Sequence, residues 1–154
     1  AVRELTAAAG VEGMVGGQYL DITAPAEIGP EDLRRLHALK TGRLIGASVD
    51  AVLLLAGADE PARIAYHRFA AELGVLFQIV DDILDVTGDD AALGKPSGSD
   101  ARHGRRTYVS VLGLERAREL AGESHAEARA ALAQAPGDTR RLAQIADYIL
   151  TRQT

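Results

Sequence analysis

The stretch that decides the fold reads Phe77-Gln78-Ile79-Val80-Asp81-Asp82-Ile83-Leu84-Asp85. On an α-helix its polar residues follow the i, i+3, i+4, i+7 pattern and share one face: Gln78, Asp81, Asp82 and Asp85. The residues between them are apolar, which predicts that this face is not freely solvated. Asp81 and Asp85 repel each other at i,i+4, near the negative end of the helix dipole. We therefore expect cations nearby, and carboxylate oxygens suit Mg²⁺.

An acidic pattern this short also occurs by chance on solvated helix ends. The stretch alone does not distinguish a metal site from a solvated acidic face. The rest of the chain has to supply the distinction.

Composition places the 154 residues in one domain, long enough for a sizeable core. The chain is rich in small aliphatic residues and has no Trp and two Phe, which favours closely packed helices. Its net charge of −5 and the absence of a basic stripe argue against nucleic acid as a partner. With no Cys, disulfides, thiolate catalysis and Cys-ligated metals are excluded, and a cytoplasmic location is expected.

The most apolar segment, residues 44–58, is interrupted by Asp50 and is shorter than the about 20 residues of a membrane-spanning helix. No signal-peptide pattern opens the chain. It begins at Ala1 without an initiator Met or a capping residue, as expected for a sequence that starts partway through an element.

Periodicity predicts an all-α fold. The expected helices cover about 2–20, 30–56, 61 to the end of the acidic stretch, 115–134, and 138 or 139 to 151. The last two show no residues with evident chemistry and are interpreted as structural.

Glycines punctuate the first of these segments. Gly13 and Gly17 leave one helix side bare, so that another backbone or a ligand can approach closely. Gln18 and Asp21 follow on adjoining positions. From this segment alone, a close helix crossing with a polar end is the favoured interpretation.

Lys40 lies within the apolar stripe of the second predicted helix. That stripe consists of Leu33, Leu36, Leu44, Ala47, Ala51, Leu54 and Leu55. Burying an unpaired ammonium is costly, so Lys40 predicts a carboxylate or phosphate partner, with the Thr41 hydroxyl beside it. The alternative is a lysine that extends past its neighbours to water.

A polar, glycine-rich loop at 87–104 leaves the acidic stretch directly and is long enough to be functional or disordered. It is not a phosphate-binding P-loop, because Pro96 follows Lys95 where Ser or Thr is needed and the loop follows a helix. Lys95, Arg102, Arg105 and Arg106 can fold back over the carboxylates.

Clustered carboxylates, an inward lysine and loop cations together form a site that can hold a diphosphate with Mg²⁺. At this point the sequence resembles the trans-type polyprenyl diphosphate synthases, most closely bacterial farnesyl or geranylgeranyl diphosphate synthases. The segments that carry the resemblance are 13–21, Lys40-Thr41-Gly42, 77–85, Leu93-Gly94-Lys95, Gly98-Ser99-Asp100, 104–108 and 146–150. Their order and spacing agree with the family over the whole chain, but only with the carboxyl-terminal half of the family's usual length.

The resemblance implies transfer of an allylic prenyl diphosphate onto isopentenyl diphosphate: ionisation of the allylic diphosphate, attack on the carbocation, and proton loss. It implies Mg²⁺, with Mn²⁺ as a substitute, bound directly by Asp81 and through water by Asp82 and Asp85. Diphosphate binding falls to Lys40, Lys95 and Arg105, the allylic carbon's path to Thr41 and Gln78, and supporting roles to Gln18, Asp21, Phe77 and Asp100. Arg105 stands where many members have lysine.

The family's first aspartate-rich motif, which binds two further Mg²⁺ ions, has no counterpart in this sequence. We therefore expect residues 1–154 to be the carboxyl-terminal part of one synthase domain around a central cavity, inactive alone, with a homodimer or the missing half as partner. A non-catalytic subunit that pairs with a complete synthase remains an alternative, and a class I terpene cyclase ranks third. Product chain length is not encoded in this part of the family's chain.

Overall fold

The computed structural model of the protein describes residues 1–23, 28–88 and 105–152. These ranges are helical and contain no strand. The elements are α1 (Val2–Ala9), α2 (Met14–Thr23), α3 (Pro30–His37), a π-helical turn (Ala38–Gly42), α4 (Arg43–Leu55), α5 (Glu60–Thr87), α6 (Tyr108–Leu112), α7 (Leu114–Gln134) and α8 (Arg140–Thr151). The predicted all-α class is confirmed.

Helix α5, with 28 residues, is the central element. Among the described elements, α5 and α7 form the most extensive helix–helix contact. It begins where the sequence predicts, because the Asp59 carboxylate accepts a hydrogen bond from Ala62 N at 3.0 Å and Pro61 occupies the first turn. Large α5 side chains such as Phe69 and Leu76 are buried against the small residues Ala117 and Ala128 of α7. The Ala-rich pattern thus allows close helix packing.

The first predicted helix, about 2–20, is broken in the structure. Helices α1 and α2 are separated at 10–13. A Cβ on Gly13 would lie 2.0 Å from the Ala8 carbonyl oxygen, so only glycine permits this tight reversal. The prediction of helical content is right and that of continuity is wrong.

The second predicted helix is continuous in direction, but the π-helical turn at Ala38–Gly42 interrupts its α geometry. The predicted stripe is wrong at its end, where Leu54 and Leu55 are exposed while Leu53 is buried. Helix α4 packs against α1 and α5. The side it presents there carries Ala47 and Leu53, which places the last two leucines outside the contact.

Helix α6 is an additional short element before α7. Thr107 caps it through a reciprocal pair of hydrogen bonds with Ser110, 3.0 and 2.9 Å long. Gly113 then turns the chain with φ +82°, a conformation that favours glycine. At the start of α6 the backbone N–H of Tyr108 donates to Asp82 Oδ2 of α5.

Apolar side chains remain exposed along α1, α2 and the end of α4, including Val2, Tyr19, Ile22 and Leu55. Exposed apolar surfaces of this kind are typical of sites where another protein segment or chain packs. Within the described ranges, none of the helices combines the length and apolar character needed to cross a bilayer.

Candidate functional site

Lys40 has the acidic partner that its position predicts. From the π-helical turn its Nζ donates to Asp21 Oδ2 of α2 at 2.6 Å, and the Asp21 side chain is only 7% exposed. Gly17 makes this approach possible, since a Cβ there would lie 2.3 Å from Lys40 N. The close helix crossing expected at the glycines and the counter-charge expected for Lys40 are therefore one feature. Gln18 lies half-buried on the same helix.

A chain of hydrogen bonds joins the π-helical turn to α5 and α6. Thr41 Oγ1 donates to Gln78 Oε1 at 3.4 Å, and Gln78 Nε2 donates to Asp82 Oδ1 at 2.8 Å. The other Asp82 oxygen accepts from Tyr108 N at 2.7 Å. Asp82 is 1% exposed, so its buried carboxylate connects α5 to Tyr108 of α6, which is 26 residues away in sequence.

The acidic stretch separates into differently placed carboxylates. Asp85, like Asp82, is buried. The Asp81 side chain is 49% exposed, and its Oδ1 is 3.5 Å from Nη2 of Arg152 just beyond α8. The Arg152 guanidinium also lies over the Phe77 ring, 4.7 Å from its centroid. The sequence pattern placed the acids on one face, but burial makes Asp81 the accessible one.

The metal prediction can be compared with this donor set. No three histidine or acidic side chains within the described ranges come close enough together to form a metal-binding group. Mg²⁺, however, commonly binds through one or two carboxylates, keeps several waters and takes substrate phosphates as further ligands. A half-exposed Asp81 fits that mode of binding, in which the substrate completes the site.

The positions of Lys95, Asp100 and Arg105 bear on the roles predicted for them. Lys95 and Asp100 lie outside the described residues. Arg105 is described and exposed, three residues before Tyr108. The roles assigned to these residues remain predictions.

His37 and Tyr108 form a buried pair that sequence analysis missed. Their rings stack with centroids 5.4 Å apart and an interplanar angle of 27°. Both ring nitrogens of His37 and the hydroxyl of Tyr108 lack hydrogen-bond partners among the described residues. Leu33 and Leu36, four and one residues before His37 in α3, are apolar and buried, and were the sign of its burial that the sequence contained.

Burial dominates the ionisation of this pair. It lowers the pKa of His37 to about 4, with the nearby Lys40 charge adding to the effect and Asp21 opposing it. Burial likewise raises the pKa of Tyr108 to about 12, with Asp82 and Glu72 adding to it and Arg34 opposing. Both rings are therefore neutral near pH 7, which suits a packing role beside the hydrogen bond between Tyr108 N and Asp82.

Comparison with known proteins bears on these features. The sequence model of the polyprenyl synthetase family matches residues 3–149. The chain belongs to the polyprenyl synthetase family. The farnesyl diphosphate synthase of Escherichia coli (strain K12) is 44% identical over 157 aligned positions, which cover 98% of this chain and 52% of that protein. The chloroplastic geranylgeranyl pyrophosphate synthase of Capsicum annuum is 41% identical, with 99% and 42% covered.

Solved structures agree with this membership. The Helicobacter pylori geranyltransferase complexed with magnesium and isoprenyl diphosphate matches with a TM-score of 0.79 at 33% identity, covering 97% of this chain and 49% of that one. The chain spans about half the length of the relatives it matches.

A cavity of about 440 Å³ lies between α1, the α3–α4 segment and α5. Its lining includes His37, Gly46, Asp50 and His67, the last two paired through their side chains. The predicted site residues within the described ranges do not line it. It is therefore separate from the Lys40–Asp21 and Asp81 contacts.

Proposed function

We propose that this chain supplies part of the active site of an Mg²⁺-dependent prenyltransferase that joins an allylic prenyl diphosphate to isopentenyl diphosphate. Membership of the polyprenyl synthetase family supports the reaction class. The observation that carries the proposal is the Lys40–Asp21 pair, which is held beside the hydrogen-bond chain of Thr41, Gln78 and Asp82.

In this proposal Lys40 receives the diphosphate of the allylic substrate. Asp21 holds the Lys40 ammonium in place. The Lys40 side chain is still 26% exposed, so a phosphate oxygen can reach it. Negative charge develops on the diphosphate as the carbon–oxygen bond breaks. A cation already positioned there stabilises that charge with little reorganisation. Arg105 and Lys95 are assigned to the same diphosphate.

Thr41 and Gln78 are assigned to the path of the allylic carbon. The contact between Thr41 Oγ1 and Gln78 Oε1 is long at 3.4 Å, whereas Gln78 is firmly anchored to Asp82 at 2.8 Å. Asp82 thereby orients the amide of Gln78, and its carbonyl oxygen faces the threonine. These neutral oxygens can stabilise positive charge on the carbon without acting as nucleophiles.

Asp81 is the carboxylate that we assign to direct contact with Mg²⁺, with Mn²⁺ as a substitute. When bound, the ion offsets phosphate charge and favours departure of the diphosphate. The water-mediated roles of Asp82 and Asp85 remain predictions. The burial of both side chains favours positioning roles for them.

Association accompanies this function. The exposed apolar residues Val15, Tyr19 and Ile22 of α2, together with Val11 just before that helix, suit contact with a second copy or with the rest of a synthase. A cytoplasmic location, in keeping with the absence of Cys, is part of the same proposal.

A second candidate is a non-catalytic subunit. One relative, 39% identical, is named the large subunit of a heterodimeric geranylgeranyl pyrophosphate synthase of Arabidopsis thaliana. A chain with a purely structural role has no need for the Lys40–Asp21 pair, which is why we place the catalytic role first.

The test measures prenyl transfer from dimethylallyl diphosphate to labelled isopentenyl diphosphate with Mg²⁺. It uses this chain alone and this chain with a polypeptide covering the unmatched amino-terminal part of the Escherichia coli enzyme. We expect activity only in the mixture, and its loss in Lys40→Gln but not in Arg141→Gln, an equal charge change on exposed α8. A folded mixture without activity favours the non-catalytic subunit.

A further inference from the structure

Arg152 connects the end of the described chain to the acidic stretch. It follows α8 directly, with its N–H donating to Tyr148 O at 2.8 Å. Helix α8 packs against both α7 and α5. This packing brings a residue 71 positions from Asp81 into contact with it. The side chain of Arg152 is 14% exposed, which is low for an arginine at a helix end.

Two α5 residues hold the guanidinium. Phe77 and Asp81 are one helical turn apart on α5, so that the ring and the carboxylate face the same way. The guanidinium lies over the ring at 4.7 Å and reaches the carboxylate at 3.5 Å. The Arg152 Nε is buried without a hydrogen-bond partner within the described ranges. The Asp81 oxygen is thus the acidic contact that the described residues offer this cation.

The contact is held loosely. A distance of 3.5 Å is at the outer limit of a hydrogen bond, and Asp81 keeps about half of its surface exposed. Such a pair can separate readily. By contrast, the Lys40–Asp21 pair at 2.6 Å has its carboxylate almost fully buried.

We propose that Arg152 is a resident counter-cation of Asp81, which a divalent cation must displace in order to bind that carboxylate. The inference rests on the assignment of Asp81 as a metal ligand in the proposed function. A guanidinium and a metal ion repel each other, and both are attracted to the same carboxylate, whose Oδ1 Arg152 contacts. Metal binding therefore separates the tip of α8 from α5, and Arg152 limits metal affinity while substrate is absent.

The experiment measures Mn²⁺ binding to the full chain without substrate, by the loss of the electron paramagnetic resonance signal of free Mn²⁺. We expect Arg152→Gln to tighten Mn²⁺ binding about two- to fivefold, since an ion pair with a long contact and a half-exposed carboxylate contributes modestly. Arg152→Lys, which keeps the charge, should stay close to wild type. Arg141→Gln, the same change at an exposed α8 position, should also match wild type.

The variant Asp81→Asn separates the counter-cation role of Arg152 from the metal-ligand role of Asp81. If Asp81→Asn abolishes Mn²⁺ binding and Arg152→Gln leaves it unchanged or weaker, the counter-cation role is overturned and Asp81 stands as a ligand. If Asp81→Asn binds like wild type, the ligand assignment itself is wrong. Absence of Mn²⁺ binding in both wild type and Arg152→Gln rejects the two together.

Hydrogen exchange supplies an independent readout. Displacement of Arg152 should speed exchange of the amides in the last turn of α8 when Mg²⁺ is added to wild type. In Arg152→Gln these amides should exchange equally with and without Mg²⁺. Protection of that turn by Mg²⁺ in the wild-type chain would contradict displacement.

Discussion

Two sides of one helix differ in how they use neighbouring carboxylates. On the inner side of α5, Asp82 is 1% exposed and joins Gln78 to the backbone of Tyr108. On the outer side, Asp81 is 49% exposed and has a long contact to Arg152. The inner carboxylate accepts short hydrogen bonds from two protein donors, whereas the outer carboxylate has one long contact to a guanidinium.

The difference predicts that one acidic motif holds two functions. A carboxylate whose oxygens accept short hydrogen bonds inside the protein contributes to folding and positioning. A carboxylate that faces solvent can exchange its counter-cation for a metal or a substrate-bound metal. Predictions that compare the two sides therefore test the assignment most directly.

The largest contrast should come from removing each carboxylate. Asp82→Ala leaves the Tyr108 N–H buried without its acceptor and releases Gln78, and should lower the free energy of unfolding by about 2–4 kcal/mol. Asp81→Ala should change it by less than about 0.5 kcal/mol. Urea unfolding of the two variants measures both values. Equal losses would show that the two sides do not differ as described.

The His37–Tyr108 pair on the inner side should make stability depend on pH. With a folded-state pKa of about 4 against the ordinary 6.5, His37 stays neutral while the unfolded chain takes up a proton. Stability should therefore fall as pH is lowered from 6.5 to 4, by up to roughly 3 kcal/mol, and this contribution should not change above 6.5.

The measurement is urea unfolding at several pH values, compared with His37→Phe, which keeps a ring against Tyr108. The carboxylates titrate in both proteins, so the difference between the two curves isolates His37. Parallel curves would mean that His37 binds a proton as readily in the folded chain as in the unfolded chain.

Gly17 tests the backbone contact that supports Lys40. In Gly17→Ala the new Cβ would meet Lys40 N at 2.3 Å and Cα at 2.6 Å, and backbone cannot move aside as a flexible side chain does. A loss of about 1–3 kcal/mol in unfolding free energy is expected, with weaker diphosphate binding. Gly122→Ala on α7 meets no atom within 4 Å and should gain up to about 1 kcal/mol. A neutral Gly17→Ala would place Lys40 further from α2 than described.

The smallest effect is expected for Tyr108→Phe. Its hydroxyl is buried without a partner in the described part of the chain, so its removal should change the unfolding free energy by less than about 0.5 kcal/mol. Tyr66→Phe, by contrast, removes a 2.7 Å hydrogen bond to Pro136 O and should cost about 1 kcal/mol. Thermal unfolding compares the pair. A larger loss at Tyr108 would reveal a partner for its hydroxyl.

Helix starts were predicted well where the sequence has a capping residue or a proline at the start of the helix. Asp59 and Pro61 define the start of α5, and Thr139 precedes α8 as expected. Burial logic correctly required a counter-charge for Lys40, because an inward ammonium is costly without one. These inferences needed only neighbours in sequence or the energetic cost of one buried charge.

The unpredicted features depend on contacts between distant segments. The Asp82–Tyr108 hydrogen bond spans 26 residues and crosses an element boundary, so helix periodicity alone cannot reveal it. The Arg152–Asp81 contact spans 71 residues and depends on how α8 packs. Likewise, the face pattern could not tell which aspartate is buried. That property depends on the position of α6.

Because of the π-helical turn at Ala38–Gly42, the number of residues in this segment determines how the helices on its two sides are oriented. Such a turn is equivalent to one residue inserted into an α-helix, and each residue of a helix corresponds to a rotation of about 100°. A single deletion within the turn could preserve both flanking helices and most of the composition. It would nevertheless turn the helix on one side of the deletion relative to the other and separate Lys40 from Asp21. Gaps in an alignment at this position therefore distinguish relatives that keep this ion pair from relatives that keep only the residues.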